Sequence, residues 1–240
     1  MPITQNTITT GAIKFYNEET DGEFSDLYGT RKQLYIDFYH LGSDRSVTFK
    51  AYITEWSDDF QSSWNEEAVY GRNDPIATFQ GTQRKISLGW ACPSHSVSEA
   101  IENVERIKEL TKFLYPVYEI DSRLGSLVGD SSVKVGTLAK APLIKVRFAN
   151  VITDSNQQSG GISRAVDGGL VVAMGGLSIN ADLEAGFWDS TEGVENNTDR
   201  DITKTGEGMV LAKVWNLSTN LTVLHQHQLG WDGSSGEWLG

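Results

Sequence analysis

Apolar and polar side chains alternate along much of the chain. Leu34, Ile36 and Phe38 share one parity and Tyr35, Asp37 and Tyr39 the other. Val47, Phe49, Ala51 and Ile53 alternate with Thr48, Lys50, Tyr52 and Thr54, and Ile86, Leu88 and Trp90 with Lys85, Ser87 and Gly89. A period of two in β-branched and aromatic residues predicts half-buried antiparallel strands. Leu41-Gly42-Ser43-Asp44 between the first two reads as a hairpin turn. Later, Ile144, Val146 and Phe148 repeat the pattern. Leu170 to Ala173 is a continuous apolar run, followed by Gly175-Gly176 and Leu177-Ser178-Ile179. Trp215, Leu217, Thr219, Leu221, Val223, His225 and His227 all fall on one face of a last strand.

One segment departs from this period. Ser96-Val97-Ser98-Glu99 is a capping box, with Ser96 as N-cap and Glu99 three residues on. Behind it Val97, Ala100, Ile101, Val104, Ile107, Lys108, Thr111 and Leu114 recur at spacings of three and four. The spacing predicts an amphipathic helix over about 97–114, stopped by Pro116. The predicted architecture is therefore mainly β: an antiparallel barrel or sandwich with one flanking helix and long hairpin loops. Residues 1–30 read as a polar, Gly-punctuated arm, 31–240 as one domain, and 189–208 as an insert loop.

Composition narrows the function. The chain has 240 residues, enough for a core without disulfides, and its single Cys92 cannot form one internally. The opening residues lack a basic stretch followed by an apolar run, and no apolar stretch reaches the length of a membrane span, so neither secretion nor insertion is expected. Asp and Glu number 32 against 20 Lys and Arg, a net charge of −12. Phosphate binding needs a basic stripe, and Arg31-Lys32 and Arg84-Lys85 are only isolated pairs, so specific nucleic-acid binding is disfavoured.

The candidate chemistry is sparse. His225 and His227 could share a zinc from one strand face, but no third ligand follows at a useful spacing. Glu55, Asp58, Asp59, Glu66 and Glu67 supply carboxylates for glycosidase chemistry, yet any acidic hairpin tip does so. Trp56, Trp64, Trp188 or Trp231 could stack on a sugar in a carbohydrate-binding β-sandwich module. No G-x-S-x-G, Walker A or H-E-x-x-H pattern occurs. No catalytic residue, metal or cofactor is assigned, and the chain reads as a non-enzyme that contacts other proteins.

Two runs carry a resemblance: FKAYITEWSDDFQSSWN at 49–65 and VYGRNDPIATFQGTQRKISLGW at 69–90. With the helix after them, APLIKVRFAN at 141–150 and TVLHQHQLGW at 222–231, they resemble baseplate hub and tail-tube-initiator proteins of contractile-tailed bacteriophages. The resemblance covers roughly residues 34–231 in pieces. It implies a tail-tube-type fold, a homo-hexameric ring, and a place between the hub with its spike and the tail tube, with wedge proteins nearby. Inner strands of neighbouring subunits would close a larger barrel around a lumen through which DNA passes without specific binding. The implied location is the virion, with assembly in the host cytoplasm; a tail tube subunit of the same machine is the alternative. The excursion between the strands at 47–54 and 84–90 would be an inter-ring hairpin, with Trp56, Phe60, Trp64, Tyr70, Arg72, Asp74 and Pro75 meeting the neighbour or the next ring. The net acidity would give such a ring a lumen that repels DNA phosphates.

Overall fold

The computed structural model describes residues 34–50, 52–121, 135–149, 151–153, 165–188, 211–226 and 228–238. The expected arm at 1–30 and the insert at 189–208 lie outside the described residues. The chain is mainly β and every strand pairing is antiparallel.

The strands are β1 (Tyr35–His40), β2 (Arg45–Lys50), β3 (Tyr52–Glu67), β4 (Ile76–Pro93), β5 (Val117–Asp121), β6 (Val135–Lys140), β7 (Leu143–Phe148), β8 (Leu170–Ala181), β9 (Phe187–Trp188), β10 (Leu211–Ala212) and β11 (Val214–Val223). Helix α1 spans Val97–Lys112 and the single turn α2 spans Ala165–Gly168. Seven strands form one sheet in the order β2-β1-β7-β8-β11-β4-β3, while β5–β6 and β9–β10 are separate pairs.

The large sheet is rolled on itself. In a flat sheet β1 and β4, four strands apart, would be separated by roughly 19 Å. Instead Phe38 of β1 and Phe49 of β2 lie 5.5 and 5.6 Å, centroid to centroid, from Trp90 of β4. The two edge strands, β2 and β3, are separated in the chain by residue 51 alone. One layer is β2-β1-β7 with the start of β8; the other is the rest of β8 with β11, β4 and β3. Strand β8 belongs to both: β7 pairs only with Leu170 to Ala173, and the β8–β11 register then shifts at Gly175. A bulge lets a strand turn such a corner.

The predicted apolar parities form the core. Ile36, Phe38, Val47, Phe49, Ile86, Leu88, Trp90, Ile144, Val146, Leu217 and Leu221 are all buried. Asp37 is buried too, on the opposite face of β1, where it accepts hydrogen bonds from Thr48 Oγ1 (3.1 Å) and from the Ala165 amide at the start of α2 (2.8 Å). Strands β5 and β6 and the turn α2 were not anticipated from the sequence.

Helix α1 starts as expected: Ser96 Oγ accepts from the Glu99 amide at 3.2 Å. Glu99 reaches back to the amide of His95 rather than of Ser96, and it pairs with Lys50 of β2. The helix ends at Lys112, two residues short of the predicted limit, with Phe113 as C-cap. Its buried face is also rotated from the predicted one, including Ala100, Asn103, Arg106, Ile107 and Leu110 and leaving Ile101 and Val104 half-buried. The polar members have partners: Asn103 Nδ2 donates to Pro93 O at 3.1 Å, Arg106 to Asn103 and Glu102, and Glu109 accepts from Arg45 at 2.8 Å.

Strand β11 stops at Val223, so His225 lies past its end and exposed, not on the predicted strand face; His227 lies outside the described residues. No group of three or more His, Cys, Asp or Glu could hold a metal among the described residues.

Candidate interaction surface

Strands β3 and β4 continue far beyond the sheet. On its other side β4 pairs with β11 only from Lys85 to Pro93. From Phe60↔Arg84 to Glu67↔Ile76 the two strands have only each other among the described residues, a ribbon projecting roughly 20–25 Å. The expected hairpin is thus a regular arm. An isolated two-stranded ribbon is marginal in water, which makes the arm's faces candidate contact surfaces.

The two faces differ. Trp56, Phe60 and Trp64 follow one parity of β3, continuous with the core side of the sheet. Across from them the register slips by one residue at Gly81, which has φ +156°, so that Phe79 rather than Gln80 faces Trp64. The Trp64 and Phe79 rings pack edge to face at 5.2 Å. At the root Arg84 makes a bidentate pair with Asp58 (2.6–3.2 Å) and lays its guanidinium 5.2 Å from the Phe60 ring centroid. Phe60, Trp64 and Phe79 remain 67%, 56% and 53% exposed. The other face is polar: Ser57, Asp59, Gln61 and Asn65 with Lys85, Gln83 and Thr78.

The seven nominated residues therefore occupy three places. Trp56 packs against the core at the arm's root, half-buried. Phe60 and Trp64 stand on the aromatic face. Tyr70, Arg72, Asp74 and Pro75 form the exposed tip, where Gly71 takes φ +86° and the Arg72 amide donates to Val69 O at 3.2 Å. Phe79 was missed because the one-residue bulge breaks the alternation that would have marked it.

The polar face continues from the arm across β4, β11 and β8 as a wall of small residues. The register aligns Glu55, Gly89, Ser218 and Ser178 in one row and Ser57, Ser87, Asn220 and Gly176 in the next. A groove of about 590 Å³ crosses it. Its hydroxyls bond within the wall: Ser87 Oγ donates to Asn220 Oδ1 at 2.9 Å and Thr219 Oγ1 to Gly176 O at 2.6 Å. The groove thus holds no hydroxyl bonded to an imidazole, the pairing that would activate a nucleophile.

Both edges of this four-stranded wall are open among the described residues. Strand β3 has no partner beyond β4, and β8 has none on its β7 side past Ala173. A long unpaired edge is a template for another strand.

The tryptophans nominated for sugar binding are dispersed. Trp188 donates to Ser94 Oγ at 2.8 Å under Lys213, and Trp231 meets Trp238 edge to face at 5.3 Å in a hairpin near the C-terminus. No helix among the described residues is long and apolar enough to cross a membrane. No protein-family model matches the chain, and no curated protein matches it.

Proposed function

We propose that the chain is a non-enzymatic structural subunit that closes into a ring with copies of itself, in the baseplate or tail of a contractile-tailed phage. The observation that carries the ring is the four-stranded wall with an open edge at each end. Because the wall has an even number of antiparallel strands, the β8 edge of one copy runs antiparallel to the β3 edge of the next under simple rotation. Such a contact is heterologous, and heterologous contacts close into rings when the rotation divides a full turn. The phage setting and the sixfold number come from the resemblance of 49–65 and 69–90. Six walls would enclose a barrel on the order of 40 Å across between backbones, wide enough for a water-filled channel.

In this reading the polar wall lines the lumen and the aromatic arm reaches a neighbour or the next ring. Asp59 lies across from Lys85, and Glu55, with Glu67 at the arm's far end, stands on this face without an opposite charge in register among the described residues. The lumen wall would then be charge-poor and hydroxyl-rich rather than strongly acidic as the net charge alone suggests, because most of the described acidic side chains lie off this face, and DNA would pass it without specific binding. The hub with its spike and the tail tube are the proposed partners on the ring's two faces.

Negative-stain electron microscopy of the concentrated protein tests the reading. Sixfold rings with a central hole are the expected result. Monomers at every concentration, with no ring formed when hub or tube protein is added, would overturn it.

A further inference from the structure

His40 is buried where three elements meet, and it is only 3% exposed. It ends β1, and its ring stacks on Phe113, the C-cap of α1, at 5.2 Å and 15°. Gly42 of the β1–β2 turn also lies close to the ring. A Cβ there would fall 3.0 Å from His40 Cε1 and 2.7 Å from Val117 Cγ2, so turn, histidine and the first residue of β5 are closely packed.

The imidazole has one satisfied nitrogen. Nδ1 accepts from the Ser43 amide at 3.2 Å and lies 2.8 Å from Ser43 Oγ. That bond places the ring proton on Nε2, which is buried without a hydrogen-bond partner among the described residues. A second proton would have to enter at Nδ1. It would oppose the Ser43 N–H and leave a cation between Phe113 and Val117.

The charged groups on the surrounding elements do not offset this. They include Asp44 and Arg45 on the turn and β2, Glu109 and Lys112 at the end of α1, Lys145 and Arg147 on β7, Glu119 on β5 and Lys140 opposite Val117 on β6, and the cations Arg147 and Lys140 would only disfavour a further positive charge. Asp44 accepts from Tyr39, and Glu109 is held by Arg45 and Lys112. Asp37 lies on the opposite face of β1.

We propose that His40 is an acid-sensitive latch: protonating its imidazole frees the β1–β2 turn, the end of α1 and the base of the β5–β6 ribbon, while the β4–β11 core stays closed. Burial, which holds the imidazole below the ordinary histidine range, agrees with this geometry. The device is independent of the ring. Its output is a change in how the ribbon with its exposed Tyr118 and Leu138 is presented.

Hydrogen exchange at about pH 7.5 and about pH 5 tests the latch in the full chain, with His40→Gln as the comparison. Glutamine can still accept from the Ser43 amide but does not titrate. In the wild type, after correction for intrinsic exchange, amides at Ser43, Asp44, Leu114 and Tyr115 should lose protection by up to about tenfold per pH unit. Amides at Leu88, Trp90 and Leu217 should not, and His40→Gln should abolish the pH dependence. Equal behaviour of the two groups of amides, or the same opening in His40→Gln, would overturn the proposal. Should His40→Gln not fold, NMR titration of the wild-type imidazole decides. A midpoint below about 6.5 that coincides with the shift of the Ser43 amide supports the latch, and one at or above it overturns the latch.

Discussion

Replacing Trp64 and Phe79 together by serine separates the arm's role in association from any role in folding the body. From their exposed fractions, Phe60, Trp64 and Phe79 present about 350–400 Å² of aromatic surface. Covering that area in an interface corresponds to about 9–10 kcal/mol of gross transfer free energy, most of it offset by the entropy of association. Each ring removed from the contact should cost about 2–3 kcal/mol, or about 30–150-fold in affinity. Within the monomer the ring contact of the pair lies in the arm, and losing this edge-to-face contact costs about 1 kcal/mol there. Sedimentation velocity should thus show the double variant unassembled at concentrations where the wild type forms rings, with the unfolding transition of the body unchanged by circular dichroism. Phe60→Ser is the companion variant, because it leaves the Trp64–Phe79 pair and so the arm's own packing in place. Assembly of both variants at wild-type concentrations would refute the assignment of the aromatic face to an interface. A large drop in body stability would show instead that the arm folds back on the core.

Three further outcomes follow from the packing. Burial pushes the Cys92 thiol up to about 12, so it should resist alkylation at about pH 8 in the native protein and react only on unfolding, as thiol labelling across a urea series would show. Gly169→Ala should destabilise by about 1–3 kcal/mol in urea denaturation, since its Cβ would fall 2.6 Å from Ala165 O, backbone that is itself tied to Asp37; Gly176→Ala, which meets nothing within 4 Å, should be close to neutral. Burial raises the Glu109 carboxyl, but the hydrogen bonds from Lys112 and Arg45 outweigh it and hold the group below the ordinary glutamate range. Its stabilising contribution is therefore present above the unfolded value, about 4.3, and lost as pH falls through the folded one, and Glu109→Gln should flatten the stability curve in that window.

The alternation of apolar residues was enough to place β1, β2, β7, β11 and the inner part of β4, because side-chain parity is a local property that a strand expresses wherever it sits; β8 was marked instead by its continuous apolar run. The start of α1 was equally legible, since Ser96 and Glu99 act within one turn. The face α1 buries was not. Asn103 and Glu109 on it gain partners from the end of β4 and from β2, 10 and 64 residues away in sequence, and no periodicity within the helix encodes them. The arm was legible as an excursion, and the exposed Phe60, Trp64 and Tyr70 were legible as members of it. The bulge at Gly81, which turns Phe79 onto the face of Trp64, was hidden, because one inserted residue inverts the parity on which the reading depends. Strand order was hidden for a related reason. Alternation states which side of a strand is buried but not which strand lies beside it, and that choice depends on contacts between segments far apart in the chain. Only the rolled sheet decides that, among the described residues, β3 and β8 keep open edges, and only the meeting of β1, α1 and β5 decides that His40 is buried with one nitrogen lacking a partner among them.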